Sequence, residues 1–575
     1  MNGDEELEAE DLGLPEVVTV EEAAAILEVS IATVRRRCSS GALDAEKVGK
    51  QWVLQRRAVE SHRPRSRPSR GIPSASLDLA LALAHVVQVD LTDREIGLPD
   101  VLRYRDQLAT KEQLLSEAQQ LATGALSPSV GIELDLPKSA FFTRTALVLP
   151  LPERVAYQAA VASFASRADA SLPDCVYGGR VDARPRFFLK PGVEQWLLWK
   201  ATVKRQVAAG ERWMIKTDVT AYFDNLKHST LFSAVESQNP DALAFGALKR
   251  MLRAWALVPG QGIPQGPNAS RFLQNLYFRP IDDEMMSGPW SYFRYMDDIR
   301  ITGRTRREAL DGLQVLERAC KRRGLVLSAQ KTKLLEGEAA LGDWEDTGID
   351  RAQYLLDVGN HDEARKKLRI LLKSAIVADG AIERRRFRFS LWRIFKLRDR
   401  EPLRTVLQRL EDLAPAAQLV AVYLVPWITS AIVERELREF LADVDRNTSP
   451  YLEAWLMATM LQRPSPLPAS WVQHAARVAR DRNRPAYLRG YAANLMARGK
   501  QSVDLDWIRD EIKREHDPGL LRAYSVALWR VGQLDGGSIA RASSRSQLAA
   551  NCITYIKGTT TIPLLVSSGD VVVPQ

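Results

Sequence analysis

The stretch Tyr292-Phe293-Arg294-Tyr295-Met296-Asp297-Asp298-Ile299-Arg300-Ile301 sets two adjacent carboxylates between two apolar runs. Apolar residues broken by a short polar pair are the pattern of a β-hairpin, so the two acids are expected at its turn. Seventy-nine positions before Asp297 stands Asp218, at the end of the apolar run Trp213-Met-Ile-Lys-Thr-Asp218-Val219, followed by Thr-Ala-Tyr222-Phe223-Asp224. Between them, Gly262-Ile-Pro264-Gln265-Gly266-Pro267 is a turn-rich loop opening a helix through Phe272, Leu276 and Phe278. After the hairpin, Gly324-Leu-Val-Leu-Ser-Ala-Gln-Lys331-Thr332 reads as a strand with a lysine at its end. Short apolar runs alternate with helical stretches from Leu136 to about Leu335, as in an α/β domain. The spacing leaves room for helices that bring the strands of Asp218 and Asp297 side by side. Carboxylates on neighbouring strand ends suit hard divalent cations, which prefer oxygen ligands.

These four segments, in this order, resemble motifs A to D of the reverse transcriptase family over about residues 136–335. The resemblance implies a right-hand α/β polymerase core, with fingers at 136–212 and palm at 213–340. It implies a nucleotidyltransferase that adds dNTPs by a two-metal mechanism, with Mg²⁺, or alternatively Mn²⁺, on Asp218, Asp297 and Asp298 and the Val219 carbonyl. Lys331 matches the motif-D lysine that protonates or neutralises the leaving pyrophosphate. Phe223 matches the residue beneath the sugar, where a ring clashes with a 2′-hydroxyl. Gln265 and Gly266 match the loop that contacts nucleotide and template. Upstream, Leu136-Pro-Lys138-Ser-Ala-Phe-Phe-Thr-Arg144 resembles the fingers hairpin, whose Lys and Arg hold the triphosphate, so Lys138 and Arg144 are candidate nucleotide ligands. Tyr177-Gly-Gly-Arg180 resembles, loosely, the next fingers motif.

The remainder narrows the kind. Maturase, VTG, SQ-loop and RNase H signatures are not evident. After about 345 the pattern is helical. Pro485-Ala-Tyr-Leu-Arg-Gly-Tyr and Pro518-Gly-Leu-Leu-Arg-Ala-Tyr repeat at an offset of 33, with Pro415 and Pro450 extending the series backwards. Proline suits the first helical turn, and this period suits stacked helical hairpins of the HEAT or tetratricopeptide kind; an irregular bundle is the alternative. A core followed by such a solenoid, over 345–555, resembles the abortive-infection and unknown-group enzymes of bacterial antiphage defence. Template-independent or protein-primed synthesis, or a nucleic-acid-binding regulator with an inactive scaffold, are the other readings. RNA template or an associated non-coding RNA, DNA product, dNTPs and a second subunit are the expected partners. Arg384, Arg385, Arg386 and Arg388 are candidates for a phosphate track.

At the N-terminus, Val18 to Arg37 gives two helices joined by a short turn, and Lys47-Val-Gly-Lys50-Gln-Trp52-Val-Leu follows like a wing hairpin. This resembles the MerR/excisionase helix-turn-helix family over 16–62. Ser30 would cap the reading helix, and Thr33, Arg36, Arg37, Lys47 and Lys50 would touch nucleic acid. An acidic, disordered segment (1–15), a Pro/Ser/Arg-rich linker (63–75), a helical extension (76–135) and a strand-like or loose tail (556–575) complete the expected organisation.

Composition agrees with several folded domains and a polyanionic partner. The chain has 575 residues, 46% hydrophobic and 26% charged, with a net charge of +9, which suits a nucleic-acid ligand. Cys38, Cys175, Cys320 and Cys552 lack metal or redox spacing. No apolar run is long enough for a bilayer, and the N-terminus is unlike a signal peptide. The expected location is therefore cytoplasmic.

Overall fold

The computed structural model describes residues 77–91, 97–98, 100–138, 142–377, 381–560, 563 and 565–567, together with 17–20, 23–24, 34, 38, 43, 45–48, 51–55 and 59. The chain divides into two compact units, Met1–Ser76 and Leu77–Gln575.

In the first unit, β1 (Val17–Thr19), β2 (Ala45–Val48) and β3 (Gln51–Gln55) form an antiparallel sheet in the order β1-β3-β2. Val20, Ala23, Ala24, Val34, Cys38, Leu43, Leu54 and Val59 are its buried core. The spacings 20/23/24 and 34/38 are those of helical faces.

The second unit begins with α1 (Leu79–His85), α2 (Arg105–Ala109) and α3 (Lys111–Thr123). A hairpin follows, β4 (Ile132–Pro137) with β5 (Thr143–Val148), in which Leu136 pairs with Arg144. It starts four residues before the position read from sequence. Then come α4 (Leu151–Asp169) and α5 (Gly192–Ala208). The central antiparallel sheet has β6 (Trp213–Thr220), β7 (Ser291–Tyr295), β8 (Asp298–Gly303), β9 (Val326–Leu327) and β10 (Lys333–Glu336). Its order is β10-β6-β8-β7, with the short β9 on the far end of β6. Between β6 and β7 run α6 (His228–Glu236), α7 (Ala242–Ala254) and α8 (Asn268–Met285); α9 (Arg306–Arg322) and α10 (Glu338–Leu341) flank β9 and β10. A Thr305–Glu308 capping box starts α9, an arrangement that satisfies two otherwise orphaned donors.

The sheet is buried on both faces, which explains its nearly continuous apolar strands. Ile215, Val219, Ile299 and Ile301 belong to the core built with α1, α3, α4, α8 and α9. Met214 and Phe293 pack instead on Trp199 of α5 and on Trp344. Because strand side chains alternate, Lys216, Asp218, Asp298 and Arg300 fall on this second face, in the cross-strand pairs Lys216↔Arg300 and Asp218↔Asp298.

The rest is helical: α11 (Thr347–Asp357), α12 (His361–Ala375), α13 (Arg384–Lys396), α14 (Leu403–Gln408), α15 (Ala417–Leu424), α16 (Ala431–Ala442), α17 (Pro450–Met460), α18 (Ala469–Arg480), α19 (Ala486–Ala497), α20 (Ser502–Arg514), α21 (Pro518–Arg530), α22 (Gly536–Arg545) and α23 (Gln547–Lys557). They pack in two layers. An inner row joins α13, α15, α17, α19, α21 and α23, each against the next, and α14, α16, α18, α20 and α22 lie outside. In α17, every residue from Tyr451 to Met460 is buried, as expected of a helix apolar all round. Pro450 and Pro518 occupy the first turns of α17 and α21, Pro485 immediately precedes α19, and Pro415 lies in a 3₁₀ turn before α15.

Two expectations change. Residues 76–135 are not one extension: α1 and α3 pack on α4, whereas residues 97–98 and 100–109 reach the helical array. Arg522 of α21 binds Asp100 and Asp106, each at 2.6 Å, and Tyr451 Oη donates to the Gly97 carbonyl at 3.2 Å. The C-terminal stretch forms no strand among its described residues; Leu565 and Val566 are buried in the core of the array, because that core offers their side chains apolar partners.

Candidate active site

The β7–β8 hairpin turns on two residues, Met296 and Asp297, since Tyr295 pairs with Asp298. Met296 takes a positive φ of 57°, which is uncommon outside glycine and needs support from its surroundings. Asp218, at the end of β6, faces Asp298 directly, and the Val219 N–H donates to the Asp297 carbonyl at 3.3 Å. The register thus gathers Asp218, Asp297, Asp298 and the Val219 backbone at one edge of the sheet. Lys331 Nζ donates to Asp218 Oδ2 at 2.6 Å. Lys331 sits in a turn beyond the two-residue β9 rather than at the end of a longer strand, because Ser328 N–H is bonded to the Asp218 carbonyl and bends the chain.

Crowding marks this edge. Burial, with the charges of Asp218 and Asp298, pushes the Asp297 carboxyl up to about 7. Burial raises Asp298 as well, partly offset by Arg300. For Lys331, burial alone would lower the ammonium, but the hydrogen bond and charge of Asp218 outweigh it and raise the group. Among the described residues no group of three or more His, Cys, Asp or Glu side chains is arranged to hold a metal ion. The geometry gives a reason: the Lys331 ammonium already sits on Asp218, and Asp298 lies 4.0 Å from Arg300. The donors themselves are hard oxygens of one sign pressed together, a set that a divalent cation relieves.

Asp218 and Asp297 open onto a cleft of about 980 Å³, which Asp298 does not line. Lys138 and Arg144 line it from the β4–β5 hairpin, Phe223 and Asp224 from the turn after β6, and Gln265 from the loop before α8. Gly266 borders the adjoining recess with Pro267 and Arg154, and has φ +121°, a conformation suited to glycine. Phe223 is only half-buried, at the start of a 3₁₀ turn. Burial and the neighbouring Arg384 hold the Arg144 guanidinium below its usual value, against the opposing pull of Asp224 and Asp297. Arg384, at the start of α13, lines the cleft. Of the other candidates for a phosphate track, Arg385 donates to the Trp344 carbonyl at 2.9 Å and Arg386 pairs with Asp346 at 2.6 Å. Arg388, one turn beyond Arg384 on the same helix face, shares with it a further recess beside Tyr451, where Arg384 donates to the Pro415 carbonyl at 3.2 Å. Arg385 and Arg386 face elsewhere, so the four arginines do not form one track.

Sequence reading missed what holds the hairpin. Arg294, fully buried, forms a two-point pair with fully buried Asp282 of α8, at 2.8 and 2.6 Å. Its Nη1 also donates to Asn275 Oδ1 and to the Met296 carbonyl, at 2.9 and 3.0 Å. Gln274 Nε2 lies 2.9 Å from Met296 Sδ. The signal was available: a charge inside the apolar run Tyr292-Phe293-Arg294 demands a buried partner. The Tyr177–Arg180 stretch serves the same purpose. Arg180 is engaged by Asp169 at 2.9 Å and by the Pro173 and Val176 carbonyls. Gly178 lies against Met296, where a Cβ would come within 2.7 Å of Cγ. Beneath Asp298, Arg300 pairs with Asp343 at 3.0 Å and lies over the rings of Trp199 and Trp344.

For the N-terminal unit, Lys47 lies in β2, paired with Trp52. Ser30, Thr33, Arg36, Arg37 and Lys50 lie outside the described residues, as do the stretches 1–15 and 63–75.

Comparison with known proteins fits this geometry. Residues 181–367 match the family described as reverse transcriptase (RNA-dependent DNA polymerase), and residues 17–63 match a helix-turn-helix domain. The domain holding the acids is that of an RNA-directed DNA polymerase, a nucleotidyltransferase, and it follows an N-terminal helix-turn-helix. Protein YkfC of Escherichia coli (strain K12) is 23% identical over 241 residues, 39% of this chain and 57% of that protein. The chain thus spans little more than half of that curated relative. Telomerase from Candida albicans, solved with a fragment of telomeric RNA, matches at 10% identity and a TM-score of 0.28, over 61% of this chain and 65% of that one; so low a score carries no weight for function. No described helix is long and apolar enough to cross a membrane.

Proposed function

We propose that this protein is an RNA-directed DNA polymerase that extends a 3′-end with dNTPs at the edge formed by Asp218, Asp297 and Asp298. The observation that carries the reading is the register Asp218↔Asp298 with Asp297 at the adjoining turn, which assembles three carboxylates from segments far apart in sequence. When bound there, with the Val219 carbonyl as a further ligand, a pair of Mg²⁺ or Mn²⁺ ions supplies electrostatic stabilisation of the entering and leaving oxygens. Lys138, Arg144 and Arg384 hold the triphosphate, the two guanidiniums through paired N–H donors. Lys331, already on Asp218, neutralises or protonates the departing pyrophosphate. Gln265 and Gly266 position the nucleotide against its template. Incorporation of labelled dNTPs by purified protein, with sequencing of product and copurifying RNA, tests the reading and separates templated from untemplated or protein-primed synthesis. No incorporation under any of these conditions would favour a binding protein with an inactive scaffold.

Two residue predictions arise here. Phe223→Val removes the ring at the cleft wall, so discrimination against ribonucleotides falls by about tenfold or more; unchanged discrimination in competition assays assigns Phe223 to packing alone. Arg384→Ala removes a charged hydrogen-bond donor, so KM for dNTP rises about tenfold, with less effect on kcat; an unaltered KM takes Arg384 out of the nucleotide site.

The wider role proposed is antiphage defence by DNA synthesis on infection. It is supported by the succession of a polymerase domain and a two-layer helical array, read as a HEAT-like solenoid in place of a conventional thumb. The N-terminal unit, read as a winged helix-turn-helix, is proposed to bind nucleic acid. Phage plating on cells expressing wild-type or Asp297→Ala protein tests the first. Loss of salt-dependent nucleic-acid binding on deleting residues 1–76 tests the second.

A further inference from the structure

A second cavity, of about 380 Å³, opens where the C-terminal ends of α17, α19 and α21 meet, and it shares no lining residue with the carboxylate cleft. Arg463, Arg498, Lys500 and Arg530 line it, and among the described residues no carboxylate does. Arg463 is matched by Glu434 at 3.0 Å. Arg498, Lys500 and Arg530 have no acidic partner among the described residues.

Arginines at helix C-termini often serve only to satisfy terminal carbonyls, and part of this arrangement is of that kind. Arg463 donates to the Ile428 carbonyl at 3.2 Å, Arg498 to the Leu461 carbonyl at 2.6 Å and Ser465 Oγ at 2.9 Å, and Arg530 to the Val101 carbonyl at 2.9 Å. A guanidinium has five N–H donors, so these bonds leave capacity unused. Arg530 Nε is buried without an acceptor, and both amide atoms of Gln462 are buried without a partner. A buried donor without a protein acceptor is satisfied by a bound water, an ion or a ligand. Burial and the charge of Arg498 also pull the Arg530 guanidinium down to about 10. Like charges held together without a counter-charge create a favourable place for an anion. The remaining wall is apolar, formed by Leu461, Val531, Pro563 and Leu565.

We propose that this cavity binds a nucleotide, with its phosphates on Arg498, Lys500 and Arg530 and its base against the apolar wall. Phosphate accepts both the paired donors of Arg and the point charge of Lys, and three cations around one recess suit its multiple charge better than a single carboxylate. The same chemistry is offered by a free nucleoside triphosphate and by the terminal nucleotide of a strand.

Calorimetric titration of the full-length protein in EDTA, with ATP, dATP, pyrophosphate and a 5′-phosphorylated dinucleotide, tests the proposal. Saturable nucleotide binding is expected that persists in an Arg144→Ala/Arg384→Ala protein, and that weakens at least tenfold in Lys500→Glu and in Arg498→Gln. Should Arg498→Gln fail to fold, Lys500→Glu decides alone, because Lys500 is exposed. Tighter binding of a triphosphate than of the dinucleotide assigns a free nucleotide, and the reverse assigns a strand end. No binding at millimolar ligand, binding lost with the cleft variant, binding undiminished by Lys500→Glu, or pyrophosphate bound as well as nucleotides would each overturn it.

Discussion

Asp218→Ala or Asp297→Ala lowers dNTP incorporation by at least about a thousandfold, on the scale of losing a preorganised electrostatic group, while the protein keeps its fold. The reason lies in the two kinds of position. Asp218 and Asp298 face each other across β6 and β8, and Asp297 occupies the turn. Removing one carboxylate relieves the like-charge crowding around Asp297, so the loss falls on chemistry rather than on stability. Asp298→Ala is expected to be milder, because Asp298 is drawn towards Arg300. Wild-type and variant rates under matched cation and primer conditions, with circular dichroism as the check on folding, measure the effect. An Asp297→Ala protein that polymerises normally would remove these residues from the site.

The largest stability effect belongs to the pair under the turn. Arg294→Met should destabilise the protein by about 3–5 kcal/mol, because it strands the buried Asp282 carboxylate. Both side chains are 0% exposed, so water cannot replace the lost partner. Activity should fall in the fraction that remains folded, since Arg294 also holds the Met296 carbonyl. Arg294→Met with Asp282→Leu should cost less than Arg294→Met alone, because replacing both members of a buried pair removes the uncompensated charge. Denaturant unfolding of the single and double variants measures the coupling. Additive losses would show that the two side chains act independently.

These two predictions mark what sequence could and could not disclose. The hairpin was legible because a polar pair between apolar runs has that common solution, but the turn falls one residue earlier than read, on Met296 and Asp297, and Asp298 lies in β8 paired with Tyr295. Asp218 was legible because the acid closes an apolar strand before a turn. Cross-strand register is a long-range property, so the facing of Asp218 with Asp298 and the bond between Lys331 and Asp218 needed the fold. Arg294 looked like an interruption in a strand, and its partner Asp282 lies on a helix read only as apolar. The proline series marked the starts of inner-row helices well, since proline acts locally. The return of residues 97–98 and 100–109 onto α21 was invisible, because Asp100, Asp106 and Arg522 meet across more than four hundred positions of sequence. Arg384 was named only together with Arg385, Arg386 and Arg388, and helix geometry is what separates it from Arg385 and Arg386, which are turned to Trp344 and Asp346.

The central claim is that the edge of Asp218, Asp297 and Asp298 adds deoxynucleotides. It is tested most directly by giving purified full-length protein labelled dNTPs, Mg²⁺ and a primed RNA, and sequencing what is made beside the Asp297→Ala protein. The account predicts DNA complementary to the RNA from the wild type and none from the variant. Equal product from both proteins, or incorporation of ribonucleotides alone, would contradict it.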